Sequence, residues 1–171
     1  MKKKNILVTG VPGVGKTTLI KRLSHELLYL HPAGFFTEEI RVGGIRMGFS
    51  LASLDGSRAT PSHTNIASRH RVGKYGVDIK GFEDFLDSIS FLNPSTNLII
   101  IDEIGKMECL SHKFRLLIKK ILDSEKRLIA TIALKGSGVI EEIKKRDDIL
   151  LIEITHSNRE SLVSGVLKLL N

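Results

Sequence analysis

The sequence contains no tryptophan and one cysteine, Cys109, and only 5% of its 171 residues are aromatic. A single cysteine excludes an internal disulfide bond, which suits a reducing compartment. No apolar run is long enough to span a membrane or to form a signal peptide. The scarcity of aromatic side chains disfavours a stacking platform for single-stranded nucleic acid. We therefore expect a cytoplasmic protein with no membrane partner.

The composition is typical of one globular domain with an excess of positive charge. Hydrophobic residues make up 42% of the chain, and the 26 Lys and Arg residues against 19 Asp and Glu give a formal net charge of +7. This charge favours anionic ligands, but the basic residues are spread along the chain, so nucleic acid is a possible partner that is not favoured. Because no repeat or second domain is evident, we expect a single domain over residues 1–171, and a monomer.

Four aliphatic runs predict the strands of a parallel sheet, at residues 5–9, 98–101, 128–133 and 149–154. Strands that are apolar on both faces belong in a sheet that helices cover on both sides. Helical periodicity is found at residues 19–28, 114–122 and 162–170. The alternation of strands and helices predicts an α/β fold of three layers with a mostly parallel central sheet.

Two segments depart from this alternation. Residues 35–54 read FFTEEIRVGGIRMGFSLASL, in which two β-like arms surround Gly43 and Gly44, a pair suited to a tight antiparallel turn. We expect this β-hairpin to be an insertion into the sheet. Residues 55–77 are poor in apolar residues and rich in Ser, Thr, His, Arg and Gly, and we expect them to form a mobile loop near a ligand.

Residues 8–23, VTGVPGVGKTTLIKRL, contain a full match to the phosphate-binding pattern G-x-x-x-x-G-K-[ST] between a predicted strand and a predicted helix. Its glycines let backbone amides surround phosphate oxygens, Lys16 reaches the β and γ phosphates, and the Thr17 hydroxyl can bind Mg²⁺. The alternative is a dinucleotide-binding turn. Such a turn needs no Lys-Thr pair and has an acidic residue about 20 residues further on, whereas Glu38 and Glu39 lie beyond that reach.

The segment LIIIDEIGKMEC predicts a second part of the same site. Asp102 closes an apolar strand, where a P-loop protein places a carboxylate that serves Mg²⁺. Glu103 follows it and can orient or deprotonate the water that attacks the γ phosphate. Gly105 completes D-x-x-G and could offer its amide to that phosphate. The guanine-reading motif N-K-x-D is missing, so we expect no guanine selectivity.

Beyond these general signals, the sequence resembles the thermophile and cancer-related nucleoside-triphosphatase family. The resemblance covers nearly the whole chain, through GVPGVGKTT, GFFTEEIR with GIRMGFSL, VGKYGVD, IIIDEIGKMEC and HSNRESL. It implies a RecA-like P-loop fold and Mg²⁺-dependent hydrolysis of ATP, GTP, CTP and UTP to diphosphates. It also implies nucleotide contacts along two stretches: Gly10, Val11, Pro12, Gly13, Val14, Gly15, Lys16 and Thr17, and Leu98, Ile99, Ile100, Ile101, Asp102, Glu103, Ile104 and Gly105.

Several other polar residues have both a functional and a structural interpretation. Glu38 and Glu39 alternate along a strand, so only one of them can face the site, and a structural role is favoured for both. Thr131 either contacts the γ phosphate or only packs within its strand. Phosphoryl transfer can also use a cation delivered from a loop or by a partner. The candidates for that cation are Arg69, Arg71 and Lys74.

We therefore interpret the chain as a nucleoside triphosphatase in which water is the nucleophile. Lys16, the loop amides and an Mg²⁺ ion held by Thr17 and Asp102 offset the charge of the phosphates. Glu103 positions the water. Two alternatives stay open: a nucleoside or nucleotide kinase, in which an acceptor hydroxyl replaces water, and a non-catalytic nucleotide switch or RNA-binding module.

Overall fold

The computed structural model describes residues 3–170, which fold around one sheet with helices on both faces. The strands within that range are β1 (Asn5–Thr9), β2 (Ala33–Val42), β3 (Ile45–Ser53), β4 (Arg58–His63), β5 (Arg71–Val72), β6 (Tyr75–Val77), β7 (Leu98–Ile104), β8 (Arg127–Ile132) and β9 (Ile149–Glu153). The helices are α1 (Lys16–Glu26), α2 (Ile79–Asp87), α3 (His112–Asp123), α4 (Val139–Lys144) and α5 (Arg159–Leu170). None of these helices combines the length and the apolar character needed to cross a membrane.

One half of the sheet is parallel, with the strand order β2-β7-β8-β1-β9. The four predicted strands all lie in this half, so the predicted three-layer α/β fold is confirmed. β8 separates β1 from β7, which places the strand before the phosphate-binding motif one strand away from the strand that carries Asp102. β7 continues to Ile104, so Asp102 and Glu103 lie inside the strand rather than at its end.

The other half is antiparallel, with the order β5-β6-β4-β3-β2. The hairpin prediction is confirmed, since β2 and β3 meet at Gly43 and Gly44, whose φ angles are 56° and 79°. β2 also pairs with β7, so the inserted hairpin continues the main sheet. The parallel and antiparallel halves of the sheet therefore meet at β2.

The prediction of a mobile loop at residues 55–77 is wrong, because β4, β5 and β6 lie there. These strands are short, and their side chains are mostly exposed or half-buried. A solvated antiparallel face needs few apolar residues, so its composition resembles that of a loop. The strands continue the sheet outward from the hairpin.

Two apolar layers hold the helices against the sheet. On one face, α1 and α5 pack through Leu19, Ile20, Leu23 and Val166. On the other face, α2, α3 and α4 pack around aromatic side chains: Phe35 of β2 meets Phe82, Phe85 and Phe91 edge to face, with ring centroids 5.7 to 6.5 Å apart. Burying one such side chain contributes on the order of 1.5–3 kcal/mol, so these layers fix the sheet on which the site is built.

The junction between the two halves of the sheet requires a glycine. Gly34 has a φ of 149°, and a Cβ atom at this position would lie 1.7 Å from the carbonyl oxygen of Ile100 in β7. We expect Gly34→Ala to destabilise the protein by more than about 3 kcal/mol, or to prevent folding, because backbone must move to relieve the clash. Urea unfolding followed by circular dichroism measures this loss.

Gly165→Ala is the matched control for that substitution. Gly165 is exposed inside α5, and a Cβ atom there would meet nothing within 4 Å. Alanine favours a helix interior over glycine by roughly 0.5–1 kcal/mol, so this change should stabilise the protein. A Gly34→Ala variant as stable as the parent would contradict the close β2–β7 pairing.

Candidate active site

The first part of the site is the loop of residues 10–17 between β1 and α1, called the phosphate loop below. It curls through Gly13 and Gly15, whose φ angles are 77° and 111°. Lys16 begins α1, and its Nζ donates to the carbonyl oxygens of Gly10 at 2.9 Å and Val11 at 3.1 Å. No side chain of the described residues caps this helix start, which leaves its amides available to an anion.

The second part of the site is Asp102, a carboxylate that is only 1% exposed. The Thr131 hydroxyl of β8 donates to its Oδ1 at 2.7 Å, and the Thr37 amide of β2 lies 3.4 Å from its Oδ2. Thr37 also donates its hydroxyl to the backbone oxygen of Asp102 at 2.7 Å. Thr131, for which a phosphate contact was one expectation, therefore holds the carboxylate in this structure.

Burial controls the ionisation of Asp102 and Glu103. Burial raises the pKa of Asp102 above its usual range, although hydrogen bonds from Thr17, Thr131 and Thr37 and the charge of Lys16 oppose this rise. Glu103 is half-buried, and its pKa is raised by burial and by the negative charge of Asp102, while Lys16 again lowers it. A cation in the phosphate loop thus helps to keep both carboxylates ionised.

A third carboxylate, Glu108, stands beside Glu103 at the start of the short 3-10 turn Glu108–Leu110. Its Oε2 and the Oε1 of Glu103 lie 2.9 and 3.0 Å from the position that a Cβ atom on Gly105 would take. Glu108 is 7% exposed, and burial, followed by repulsion from Glu103, raises its pKa to about 8. The backbone amide of Gly105, which the sequence suggested as a phosphate contact, instead hydrogen-bonds Glu108 and partly lowers its pKa.

Lys16, Thr17, Glu103 and Glu108 line one cleft of about 890 Å³, whereas the buried Asp102 does not line it. Of the predicted residues, Pro12, Gly13, Gly15, Lys16, Thr17 and Glu103 line it. Val14 and the apolar residues of β7 are buried in the two cores, so the nucleotide contacts implied for Leu98, Ile99, Ile100, Ile101 and Ile104 stay a prediction.

Apart from Glu39, which was one of two candidates to face the site, sequence reasoning did not identify the residues of the cleft wall that come from the hairpin and its neighbours. The cleft is lined there by Thr37, Glu39, Arg41, Arg46, Phe49 and Tyr75. Alternation along β2 is the signal that could have placed some of them, since Thr37 and Glu39 are two residues apart and share a face. Glu38 instead pairs with Lys21 and Arg58, each at 2.9 Å.

The cations expected from the 55–77 segment lie at its turns. Arg71 donates to the backbone oxygen of Lys74 at 2.7 Å, and the Lys74 ammonium lies 5.4 Å from the centre of the Tyr75 ring. Arg69 contacts His70 and lines a separate cavity of about 480 Å³. Among the described residues, none of these three predicted cations lines the cleft of the phosphate loop.

Comparison with known proteins connects this site to one family. The family model described as NTPase matches residues 5–167. Nucleoside-triphosphatase THEP1 of Thermotoga sp. (strain RQ2) is 47% identical over 166 residues, which cover 96% of this chain and 94% of that protein. The human cancer-related nucleoside-triphosphatase is 34% identical over 95% of this chain and 94% of its own length.

Solved structures agree with this relationship. The crystal structure of THEP1 from Aquifex aeolicus superposes with a TM-score of 0.85 at 35% identity, over 98% of this chain and 99% of that one. The solution structure of the human cancer-related nucleoside triphosphatase gives a TM-score of 0.80 at 34% identity, over 96% of each chain. The resemblance seen in the sequence motifs is therefore confirmed along the whole fold.

The buried carboxyl of Glu108 predicts a pH dependence of stability. Its pKa rises from 4.5 to about 8 on folding, so between these values the unfolded chain releases the proton while the folded protein retains it. Stability should therefore fall as the pH rises from 5 to 8, and one pKa unit corresponds to about 1.4 kcal/mol. In Glu108→Gln we expect this fall to be smaller by more than about 1 kcal/mol, as measured by urea unfolding at several pH values.

Glu142→Gln is the control for this measurement, because Glu142 is an exposed glutamate on α4. It should leave the pH profile of the parent unchanged. If Glu108→Gln also follows the parent profile, Glu108 does not retain its proton in the folded protein.

Proposed function

Since this chain belongs to the NTPase family, it is a nucleoside triphosphatase, and we propose that it uses Mg²⁺ and that Glu103 directs the attacking water. The observation that carries the proposal is the shared cleft, in which Lys16 and Thr17 of the phosphate loop face Glu103 of β7. Anion-binding amides and a carboxylate able to act on water are the two elements that hydrolysis of a phosphoanhydride requires.

Thr17, which lines the cleft, and the buried Asp102 form a donor set that fits Mg²⁺. The hydroxyl of Thr17 and the carboxylate of Asp102 are oxygen ligands, and they lie close enough for the hydroxyl to lower the pKa of Asp102. The contacts from Thr131 and Thr37 leave further lone pairs on the carboxylate. When bound, the ion would offset negative charge on the phosphate oxygens during phosphoryl transfer.

Two residues of the chain act on the phosphates and on the water in this proposal. Lys16 is held at the loop by the carbonyl oxygens of Gly10 and Val11, and its remaining N–H is free for a phosphate oxygen. Glu103 is half-buried, with a pKa raised by burial and by Asp102, which makes it a stronger base than a solvated glutamate while it stays ionised. It accepts the hydrogen of the water and orients the oxygen for attack.

Hydrolysis is favoured over the two alternatives because the relatives are named nucleoside-triphosphatases. The names do not favour a kinase or a non-catalytic switch. We propose that ATP, GTP, CTP and UTP are all substrates, since the sequence contains no N-K-x-D motif. We also propose that the protein acts as a monomer in the cytoplasm, which the single cysteine fits, and that nucleic acid is a possible partner that the dispersed basic residues do not favour.

Substitutions of the two neighbouring carboxylates test this division of roles. Glu103→Gln should keep metal and triphosphate bound but lower kcat by roughly a hundredfold or more, because an amide cannot accept the proton of the water. Asp102→Asn should instead weaken the Mg²⁺-dependent part of binding, since an amide oxygen is a poorer ligand for a hard cation. Single-turnover phosphate release and titration with a fluorescent triphosphate, with and without Mg²⁺, measure both effects.

The result that would contradict this mechanism is a Glu103→Gln variant that hydrolyses ATP near the parent rate. Water activation would then belong to another carboxylate of the cleft, Glu39 or Glu108. If both variants bind and hydrolyse normally, the proposed site itself is wrong.

Base selectivity is a second test. Without a bidentate contact to one base, discrimination on the order of 1–3 kcal/mol is missing, so kcat/KM for ATP, GTP, CTP and UTP should agree within roughly tenfold. Competition between pairs of triphosphates measures this ratio directly. A preference beyond about a thousandfold would reveal a base-reading residue.

A further inference from the structure

The part of the cleft wall that the β2–β3 hairpin forms carries two arginines around one glutamate. Glu39 Oε2 lies 2.6 Å from Arg41 Nη2 and accepts from Arg41 Nε at 2.7 Å, while Glu39 Oε1 lies 3.1 Å from Arg46 Nε. Arg41 belongs to β2 and Arg46 to β3, and all three side chains line the cleft that holds Lys16 and Glu103. One carboxylate cannot neutralise two guanidinium groups, so this cluster has one surplus positive charge.

The pairing register of the hairpin makes this surplus positive charge destabilising in the protein without nucleotide. Arg41 and Arg46 are direct cross-strand partners, next to an irregularity at Ile40 and Arg41. Like charges directly opposite each other destabilise an antiparallel pair. A phosphate group bound in the cleft would supply the missing negative charge.

Strand β2 sets the distance from this cluster to the proposed metal ligand. Thr37 contacts Asp102, and Glu39 lies two residues further along the same strand. An antiparallel strand rises about 3.4 Å per residue, so Glu39 is roughly 7 Å along β2 from the residue beside Asp102. Glu39, which gathers the two guanidinium groups, therefore lies on the strand that contacts Asp102, and it lines the same cleft as Glu103.

The two arginines differ in how their donors are used. Arg41 pairs with Glu39 through Nε and Nη2, and its Nη1 donates to the backbone oxygen of Gly44 at 2.7 Å in the hairpin turn. Arg46 Nε lies near Glu39, but its N–H is not aligned with that oxygen, and it finds no hydrogen-bond partner within residues 3–170. The Arg46 guanidinium is held 5.3 Å from the centre of the Phe49 ring.

We propose that Arg46 donates to the terminal phosphate during hydrolysis, and that Glu39 holds it ready before nucleotide binds. Arg41 secures the hairpin turn. This inference rests on the proposed function. It places the cation that contacts the transferred phosphate on the hairpin, whereas Arg69, Arg71 and Lys74 were the candidates from the sequence.

The reaction that Arg46 assists is an exchange of one P–O bond for another. The water oxygen bonds to the γ phosphorus as the bond from that phosphorus to the β–γ bridging oxygen breaks, and the bonding electron pair stays on the diphosphate. The proton of the water passes to Glu103. Arg46 forms no covalent bond, and its N–H groups stabilise the negative charge on the oxygens of the transferring group.

Removal of the guanidinium tests this assignment in the full chain. Arg46→Ala and Arg46→Gln should lower single-turnover hydrolysis of Mg·ATP about a hundredfold or more, as expected when a donor to the transition state is lost. Affinity for ADP should not change, because ADP lacks the terminal phosphate. The glutamine variant keeps a long side chain against Phe49, so it preserves packing if the alanine variant is unstable.

Arg58→Ala is the control, since Arg58 is an exposed arginine of β4 that pairs with Glu38 and does not line the cleft. We expect its hydrolysis rate to stay within about threefold of the parent, because exposed ion pairs contribute little. ADP with aluminium fluoride, which mimics the transferring phosphoryl group, adds a readout that packing alone would not change. It should bind the parent and Arg58→Ala more tightly than ADP does, and should lose this advantage in both Arg46 variants.

Three outcomes would overturn the inference or its basis, and they can be told apart. If the parent hydrolyses ATP and both Arg46 variants match it, the cation is another residue of the cleft, such as Lys106 or Lys135. If the Arg46 variants lose affinity for ADP as well, Arg46 supports the cleft in general and does not contact the terminal phosphate. If the parent itself releases no phosphate, the proposed function fails.

Discussion

The buried carboxylate of Asp102 is the constraint on which the rest of the site depends. A carboxylate that is 1% exposed is costly unless hydrogen bonds and charges compensate its desolvation. Here the compensating groups come from separate elements: Thr37 from β2, Thr131 from β8, and Lys16 and Thr17 from the start of α1. Keeping Asp102 ionised therefore requires the strand order and the phosphate loop to be in place together.

The same requirement explains why β2 belongs to both halves of the sheet. Its first residues pair with β7 and bring Thr37 to Asp102, and its later residues pair with β3 and carry Glu39 and Arg41 along the cleft. Gly34 permits this strand to approach Ile100 closely enough for the parallel pairing. The antiparallel extension is thus a wall of the cleft, and a substitution in it can act on the chemistry through β2.

Local sequence signals predicted the parallel strands, the hairpin turn and the phosphate loop, because each depends on residues close together in the chain. Apolar runs identify doubly covered strands, and Lys16 with its glycines identifies the loop. The strands at residues 58–77 were missed because a solvated strand lacks an apolar pattern. Arg46 and Thr37 could not be assigned, since their relation to Asp102 depends on pairing between β2, β3 and β7, which no short segment encodes.

The distribution of charge in the cleft favours a metal-bound triphosphate over a free one. Burial raises the pKa values of Asp102, Glu103 and Glu108 on the side of β7, the charge of Asp102 adds to the rise at Glu103, and the charge of Glu103 adds to it at Glu108. Lys16 and Arg46 line the cleft at the loop and the hairpin. A free triphosphate would bring further negative charge against Asp102 and Glu103 in a medium that screens poorly. The proposed Mg²⁺ between the phosphates and Asp102 would offset that repulsion, while the cations remain available to the outer phosphate oxygens. The presence of carboxylates and arginines in one cleft therefore suits the proposed metal complex of the triphosphate better than the free triphosphate.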